Sequence, residues 1–208
     1  MDLITERMWD LCLDCAENVF PSKPYPSHYT RSVAALLQMT WLHESGGGRY
    51  RRQGGFSTDS TRGAFSIFQI EKCSLQDSLL WLGKHPDALE RTEQWIKRDT
   101  KSWYPHLWRM VEDLEIPTDR LKFPCLLLPD FLDMLLALQD PVGDRTAAAF
   151  ARIHYLRVPK RVPSFNGLDS VKEMAEYAKK YYNTKAGKAH WTDYALAFAW
   201  NWPVGGFD

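Results

Sequence analysis

The sequence predicts a mainly α fold, and three observations support this prediction. Apolar residues recur at helical spacing over most of the chain. Proline-rich breaks separate these segments at residues 21–26, around Pro86 and at residues 117–129. Only residues 49–70 favour extended structure, and we expect one small hairpin there.

In the first half of the chain, Cys12 and Cys15 lie one helical turn apart on a predicted helix. In the next helix, Val33, Leu37, Thr40 and Glu44 share one stripe, and three glycines after Ser45 supply a C-terminal stop. Further helices follow the predicted hairpin. The helices predicted in this half cover residues 2–19, 30–44, 74–83, 87–98 and 101–114.

In the second half, residues 131–138 form an apolar segment that we expect to be a buried helix. Residues 144–159 form a helix whose small side chains, including Ala148 and Ala151, allow close packing. A capping box from Ser170 to Glu173 begins a last predicted helix, which continues to Asn183.

Length and composition suit a single domain. The chain has 208 residues, of which 45% are hydrophobic, so it can bury a full core. We expect one domain over 1–208, with an N-terminal helical extension (1–26), a core (27–160) and a C-terminal helical segment (161–208). The four cysteines suggest buried free thiols rather than a disulfide framework.

Charge and the distribution of apolar residues argue against nucleic-acid binding, a membrane span and an export signal. The chain carries 26 basic and 26 acidic side chains without a persistent basic block, so nucleic acid is a poor candidate. No segment offers ~18 uninterrupted apolar residues for a membrane span. The first residues carry charges such as Asp2, Glu6 and Asp10 that interrupt any apolar run, so we do not expect an export signal.

Glu44 is the most informative side chain. Burial beside apolar neighbours and the negative end of the helix dipole both favour the neutral form of its carboxyl group. A glutamic acid that keeps its proton near neutral pH can act as a general acid. The alternative is an ordinary solvated residue at the edge of an amphipathic helix.

A set of motifs around Glu44 resembles a known family. Glu44-Ser45, Ser60-x-x-Gly63-Ala64 and Ile67-Phe68-Gln69 are similar to elements of soluble lytic transglycosylases and goose-type lysozymes, enzymes that cut the glycan strands of peptidoglycan. Ser66 stands where the family usually has glycine. The resemblance implies a lysozyme-like fold, with Glu44 as the catalytic acid/base and Ser45, Ser60 and Gln69 shaping the cleft or holding substrate.

A second region extends this resemblance. In the transglycosylases a helix with an Ala-x-x-Tyr-Asn pattern lies across the catalytic glutamate, and residues 151–155 are similar up to Tyr155, after which Leu156 replaces the asparagine. Tyr155 therefore either donates a hydrogen bond to Glu44 or the substrate, or simply packs in the core.

Aromatic residues make up 13% of the chain, and flat aromatic rings stack on the apolar faces of sugars. Most aromatic side chains nevertheless serve interiors. The candidates for sugar subsites are Trp41, Phe56, Phe68, Trp103, Tyr104 and Trp108.

The resemblance leaves the reaction open. With one carboxyl group the muramoyl 6-hydroxyl can close onto C1, which gives the 1,6-anhydro product of a lytic transglycosylase. Hydrolysis by water needs a second carboxylate, for which Asp59 is the candidate, although Asp59 also suits a turn. A further alternative is a non-catalytic virion protein that keeps the fold.

No metal or cofactor is expected, because His43-Glu44 lacks the second histidine of the zinc-protease pattern. Residues 175–188 resemble a C-terminal stretch of phage-encoded cell-wall enzymes carried by virions; alternatively, they form a basic surface helix. We therefore expect peptidoglycan, and virion or tail proteins, as partners. The expected location is a phage virion or, after release, the host periplasm or cell wall.

Overall fold

The structure is a computed structural model that describes residues 3–19, 27–50, 64–98, 143–183 and 188–202. These residues form a mainly α fold, which confirms the predicted fold class. The helices in these ranges are α1 (Leu3–Asn18), α2 (Ser27–Ser45), α3 (Lys72–Gly83), α4 (Pro86–Lys97), α5 (Asp144–Leu156), α6 (Val171–Tyr181) and α7 (Trp191–Asn201).

Two short strands lie in or next to the region predicted to be extended, 49–70. Strand β1 (Ala64–Phe65) pairs antiparallel with β2 (Ile70–Glu71), so that Ala64 lies opposite Glu71 and Phe65 opposite Ile70. Between them, Ser66 and Gln69 have positive φ angles of 74° and 48°. These left-handed conformations make the turn tight enough for the two strands to pair directly.

Helix α2 is the central element of the core. It packs against α1 and α7, and also contacts α5 and α6. Its residues Val33, Ala34, Leu36, Leu37 and Met39 are almost completely buried, because neighbours cover α2 on several sides. A helix enclosed in this way holds its C-terminal end in a fixed position.

Helix α1 belongs to the same core, although the sequence suggested an extension. Its Cys12 and Cys15 side chains are fully buried, and the side-chain amide of Gln38 on α2 donates to the carbonyl of Thr5 at 3.5 Å. The expected buried thiols are confirmed for these two cysteines. The expectation is wrong for Cys73, which is exposed, and Cys125 lies outside the described residues.

A polar cluster fixes α5 against α1 and α4. The Arg145 guanidinium binds Asp14 Oδ2 at 2.8 Å, donates to the Trp95 carbonyl at 2.9 Å and lies 4.0 Å from the centre of the Trp95 ring. The Trp95 indole N–H donates to the same Asp14 oxygen at 2.9 Å. Because one carboxylate joins three helices, the start of α5 is rigidly placed.

The predicted helices 2–19, 30–44, 74–83, 87–98 and 144–159 agree with the structure to within three residues at each end. The predicted helices 101–114 and 131–138 lie outside the described residues. No helix in the described ranges is both long and apolar enough to cross a membrane.

Two details at the C-terminal helices differ from the sequence-based prediction. The predicted capping box at Ser170 is wrong, because the Ser170 hydroxyl donates to the Gly167 carbonyl at 2.8 Å and makes no cap for α6. Helix α7 lies in the C-terminal segment expected to be helical (161–208), but the sequence did not give its bounds. It begins at its own capping box, in which the backbone N–H of His190 donates to Asp193 Oδ2 at 2.6 Å.

Candidate active site

A cavity of about 590 Å³ opens beside the C-terminal end of α2. The hairpin, α3, α5 and the segment that joins α6 to α7 form its other walls. The side chains in its lining that carry polar or charged groups include Glu44, Gln69, Glu71, His154, Asn183 and Lys188. We call this space the Glu44 cavity.

The end of α2 places Glu44 in this cavity. The helix ends at Ser45, and Gly46, Gly47 and Gly48 all have positive φ, as the predicted glycine stop requires. The Ser45 hydroxyl donates to the Trp41 carbonyl at 2.9 Å and accepts from the backbone N–H of Gly48 at 2.9 Å. Glu44 is therefore half-buried on the last helical turn, where the sequence placed it.

Two side chains donate hydrogen bonds to the same oxygen of Glu44. The Tyr194 hydroxyl donates to Oε1, and the Asn183 amide donates to Oε1 at 3.3 Å. The structure records no hydrogen bond from a described residue to Oε2. Donors to a carboxylate stabilise its charged form, so the surroundings of Glu44 are more polar than the apolar burial expected from the sequence.

Three tyrosines around Glu44 remain neutral phenols. Burial raises the pKa of Tyr194, Tyr182 and Tyr155, and the negative charge of Glu44 raises each pKa further. Tyr194 is fully buried, and its ring lies 3.8 Å from the imidazole of His43 between ring centres. Tyr194 is therefore a fixed hydrogen-bond donor to Glu44 across the whole neutral pH range.

Two histidines lie in the wall of the Glu44 cavity. Burial lowers the pKa of His43, although the charge of Glu44 opposes this effect in part. Burial also lowers the pKa of His154, whose Nε2 lies 2.7 Å from the Tyr181 carbonyl. Because a carbonyl only accepts, Nε2 of His154 carries the proton and Nδ1 of the neutral ring is an acceptor.

The segment after α6 is tied to the hairpin. The Tyr182 hydroxyl donates to the Phe68 carbonyl at 2.7 Å, and the next residue, Asn183, binds Glu44. These two contacts bring α2, the hairpin turn and the end of α6 together at one point. The geometry of the carboxyl group thus depends on residues that are 139 positions apart in the chain.

Gln69 lines the cavity as the sequence suggested. Its amide nitrogen donates to the carbonyls of Tyr50 and Ser66, both at 2.8 Å. Its Oε1 is buried and has no hydrogen-bond partner among the described residues. A buried acceptor without a partner is costly, so this oxygen is available for a donor group of a bound molecule.

The other predicted site residues either are not part of the lining of the Glu44 cavity or lie outside the described residues. Ser45 is fully buried in the helix terminus, and Phe68 and Trp41 are core side chains with 0% and 2% exposure. The Tyr155 hydroxyl lies 2.7 Å from Thr40 Oγ1 instead of binding Glu44, which corresponds to the packing alternative. Asp59 and Ser60 lie outside the described residues, as do Phe56, Trp103, Tyr104 and Trp108, the remaining aromatic candidates.

Four residues of the site were not predicted from the sequence: Asn183, Tyr194, His154 and Glu71. A signal existed for Asn183, because the tyrosine-asparagine pair sought at residues 155–156 occurs at 182–183. For Tyr194 the signal was the spacing of His190 and Asp193, which marks the start of α7. His154 and Glu71 carry no pattern that separates them from ordinary helix and strand residues.

Within the described part of the chain, no group of three or more His, Cys, Asp or Glu side chains is placed to hold a metal ion. The chain matches no model of a protein family, no curated protein and no solved structure.

Proposed function

We propose that this protein cleaves the β-1,4 bond between N-acetylmuramic acid and N-acetylglucosamine in peptidoglycan, and that its helices form a lysozyme-like domain. The observation that carries the proposal is the convergence on one cavity of Glu44, Gln69 and Asn183. Each of these residues lies in a motif that resembles the transglycosylase pattern: Glu44 in Glu-Ser, Gln69 in Ile-Phe-Gln and Asn183 in Tyr-Asn.

The departure from that pattern at Ser66 is consistent with the proposal. The family usually has glycine there, a residue that adopts positive φ without strain. Ser66 has a φ of 74°, and its hydroxyl accepts from the backbone N–H of Phe68 at 3.1 Å. The serine thus adopts a backbone conformation that favours glycine, and a local hydrogen bond offsets part of the strain.

In the proposed reaction, Glu44 donates its proton to the leaving O4 of the glycosidic bond. Oε2 carries this proton, because Oε1 is occupied by Tyr194 and Asn183. Gln69 Oε1 accepts from a hydroxyl or amide N–H of the sugar. As the bond breaks, the two donors stabilise the negative charge that forms on Glu44.

We propose the transglycosylase route for the second step. Glu44 takes the proton of the muramoyl 6-hydroxyl as this oxygen closes onto C1, and a 1,6-anhydro sugar results. The same carboxyl group serves as acid and then as base, so a single glutamate suffices.

The hydrolytic alternative requires a second carboxylate across the bond. Asp59 was the candidate from the sequence. Among the described residues, Glu71 lines the same cavity as Glu44, which is a specific observation in favour of Glu71. Hydrolysis gives a reducing sugar, which is one water heavier than the anhydro product.

The test compares wild type with Glu44→Gln on purified peptidoglycan, by loss of turbidity and by mass spectrometry of the fragments. Gln keeps the shape of the side chain and removes the proton, so we expect a loss of activity of about 10²-fold or more. Glu173→Gln makes the same change on an exposed face of α6 and should leave the activity unchanged. Equal clearing by wild type and Glu44→Gln would contradict the proposal.

Mass spectrometry of the wild-type fragments then separates the two routes. Anhydro ends support the transglycosylase, whereas reducing ends that disappear in Glu71→Gln support hydrolysis with Glu71. An inactive wild-type chain would favour the third alternative, a virion protein with this fold and no turnover. The proposed location, in a phage virion or at the host cell wall, is tested separately by mass spectrometry of purified particles.

A further inference from the structure

Helix α5 separates the Glu44 cavity from a second cavity of about 360 Å³. Phe150 and His154 line the Glu44 cavity, whereas Arg152 and Tyr155 line the second one. Because successive helical residues are about 100° apart, Arg152 lies on the side of α5 opposite to Phe150 and His154. The two cavities therefore open on different faces of the protein.

Arg152 lines the second cavity, and its buried guanidinium has no counter-charge among the described residues. Arg152 is only 1% exposed, and its Nε and Nη2 have no hydrogen-bond partner among the described residues. Burying an unpaired charge costs several kcal/mol, so a natural protein rarely keeps one without a compensating group. Nε and Nη2 lie on the same edge of the guanidinium, and this edge matches the two oxygens of a carboxylate or phosphate.

Described side chains near Arg152 do not neutralise it. The Asp14 carboxylate on α1 is already bound by Arg145 at 2.8 Å and by the Trp95 indole N–H. Burial raises the pKa of Tyr177 to about 12, and the positive charge of Arg152 opposes that increase. The charge of Arg152 thus acts on its surroundings, and no acidic side chain in the described ranges pairs with it.

The rest of the second cavity suits an anionic group. Tyr29, Leu156 and Val162 form its walls, and the exposed Lys160 and Arg161 lie at its mouth. Two cations at the mouth attract an anion, and apolar walls strengthen its pairing with Arg152 by excluding water. None of the described residues in the lining is acidic.

We propose that this cavity is an oxyanion site, in which the Nε and Nη2 edge of Arg152 binds a carboxylate or phosphate group of a ligand. Lys160 and Arg161 guide the anion into the cavity. The site is independent of the proposed glycan cleavage, because it does not share the lining of the Glu44 cavity.

The test measures Tm of the full chain in inorganic phosphate, in acetate and in sodium chloride at equal ionic strength. An anion present at ~100 times its Kd should raise Tm by about 5–10 °C relative to chloride. A larger effect of phosphate indicates a phosphate group as the natural ligand, and a larger effect of acetate indicates a carboxylate. No increase over chloride with either anion would overturn the proposal.

Variants assign the effect to Arg152. Arg152→Met should abolish the Tm increase, and in chloride its Tm should equal or exceed that of wild type because the unpaired buried charge is gone. Lys84→Met removes a positive charge outside both cavities and should keep the full increase. An anion effect that persists in Arg152→Met would contradict the assignment.

Arg152→Lys provides a second measurement that does not depend on loss of the charge. Lysine keeps the positive charge and lacks the two-pronged edge, so calorimetric titration with phosphate or acetate should show affinity weakened about tenfold or more. Unchanged affinity would overturn the bidentate geometry. A large loss of Tm in chloride for Arg152→Met would show that the guanidinium has an internal partner, and would also overturn the proposal.

Discussion

Replacement of Tyr194 by phenylalanine tests the arrangement around Glu44 most directly. The change removes one hydroxyl, which donates to Glu44 Oε1, and keeps the ring that is fully buried against His43. No cavity of any size forms, because only an oxygen is lost. The effects of Tyr194→Phe therefore report on the hydrogen bond to the carboxyl group.

The magnitude follows from the kind of bond that is lost. A hydrogen bond to a charged group contributes about 1.5–3 kcal/mol, and burial of Tyr194 places this bond away from bulk water. At pH 7 the free energy of unfolding should fall by this amount, which corresponds to a decrease in Tm of about 3–12 °C for a chain of this length. The remaining donor, Asn183, keeps Glu44 from being left without a partner.

The effect on the proposed cleavage follows from the same bond. The Tyr194 hydroxyl donates to the oxygen of Glu44 that carries negative charge once the proton has been transferred. Loss of a donor to a charge that develops in the reaction slows that reaction, so we expect Tyr194→Phe to lower the rate of cleavage about tenfold or more.

The assays are chemical denaturation and peptidoglycan cleavage, both at pH 7. Tyr177→Phe is the matched control, because its hydroxyl donates to a neutral group, the Lys160 carbonyl, at 2.8 Å. It should cost about 0.5–1.5 kcal/mol and leave the rate of cleavage unchanged. A loss of stability in Tyr194→Phe no larger than in this control, or an unchanged rate of cleavage, would refute the role assigned to Tyr194.

Two further predictions concern the walls of the Glu44 cavity. Because burial lowers the pKa of His154, the folded protein resists its protonation, so the free energy of unfolding should fall as the pH drops below about 6.5, by at most ~1.4 kcal/mol per pH unit. His154→Gln should reduce this dependence of the free energy of unfolding on pH, as measured by urea denaturation at pH 7, 6 and 5. The same dependence in wild type and variant would contradict the role assigned to His154. Ser66→Ala loses the bond to the Phe68 N–H and keeps a φ of 74°, so it should lose about 1–2 kcal/mol, whereas Ser66→Gly should lose less. The midpoints of chemical denaturation test this order of stability. An alanine variant that is more stable than the glycine variant would contradict the prediction.

The sequence predicts local features of this protein well. The position of Glu44 follows from a stripe in one helix and from three adjacent glycines, and both are properties of neighbouring residues. The bounds of α1 to α5 follow from the same kind of local pattern. For the hairpin, the sequence predicted only the region, 49–70, and not the two strands. The turn needs φ values that serine and glutamine adopt only under tertiary constraint.

Partners that arrive from distant segments were not predicted. Tyr194 and Asn183 reach Glu44 across 150 and 139 residues, and no periodicity within one helix encodes such a contact. For Tyr155 the sequence left two roles open, a hydrogen bond to Glu44 or the substrate and simple packing in the core. In the structure its hydroxyl donates to Thr40, which lies one helical turn before Glu44 in α2.

The contacts of Glu44 also bear on the choice between the two proposed reaction routes. Tyr194 and Asn183 both donate to Oε1, so in the proposed reaction the carboxylate that forms on proton transfer needs no rearrangement to be stabilised. This arrangement favours a glutamate that loses its proton and then takes one back at Oε2. In the hydrolytic route a second carboxylate takes part, whereas in the transglycosylase route Glu44 performs both proton transfers. A carboxyl group with one oxygen anchored and the other left for the substrate is therefore best matched to the anhydro-forming reaction.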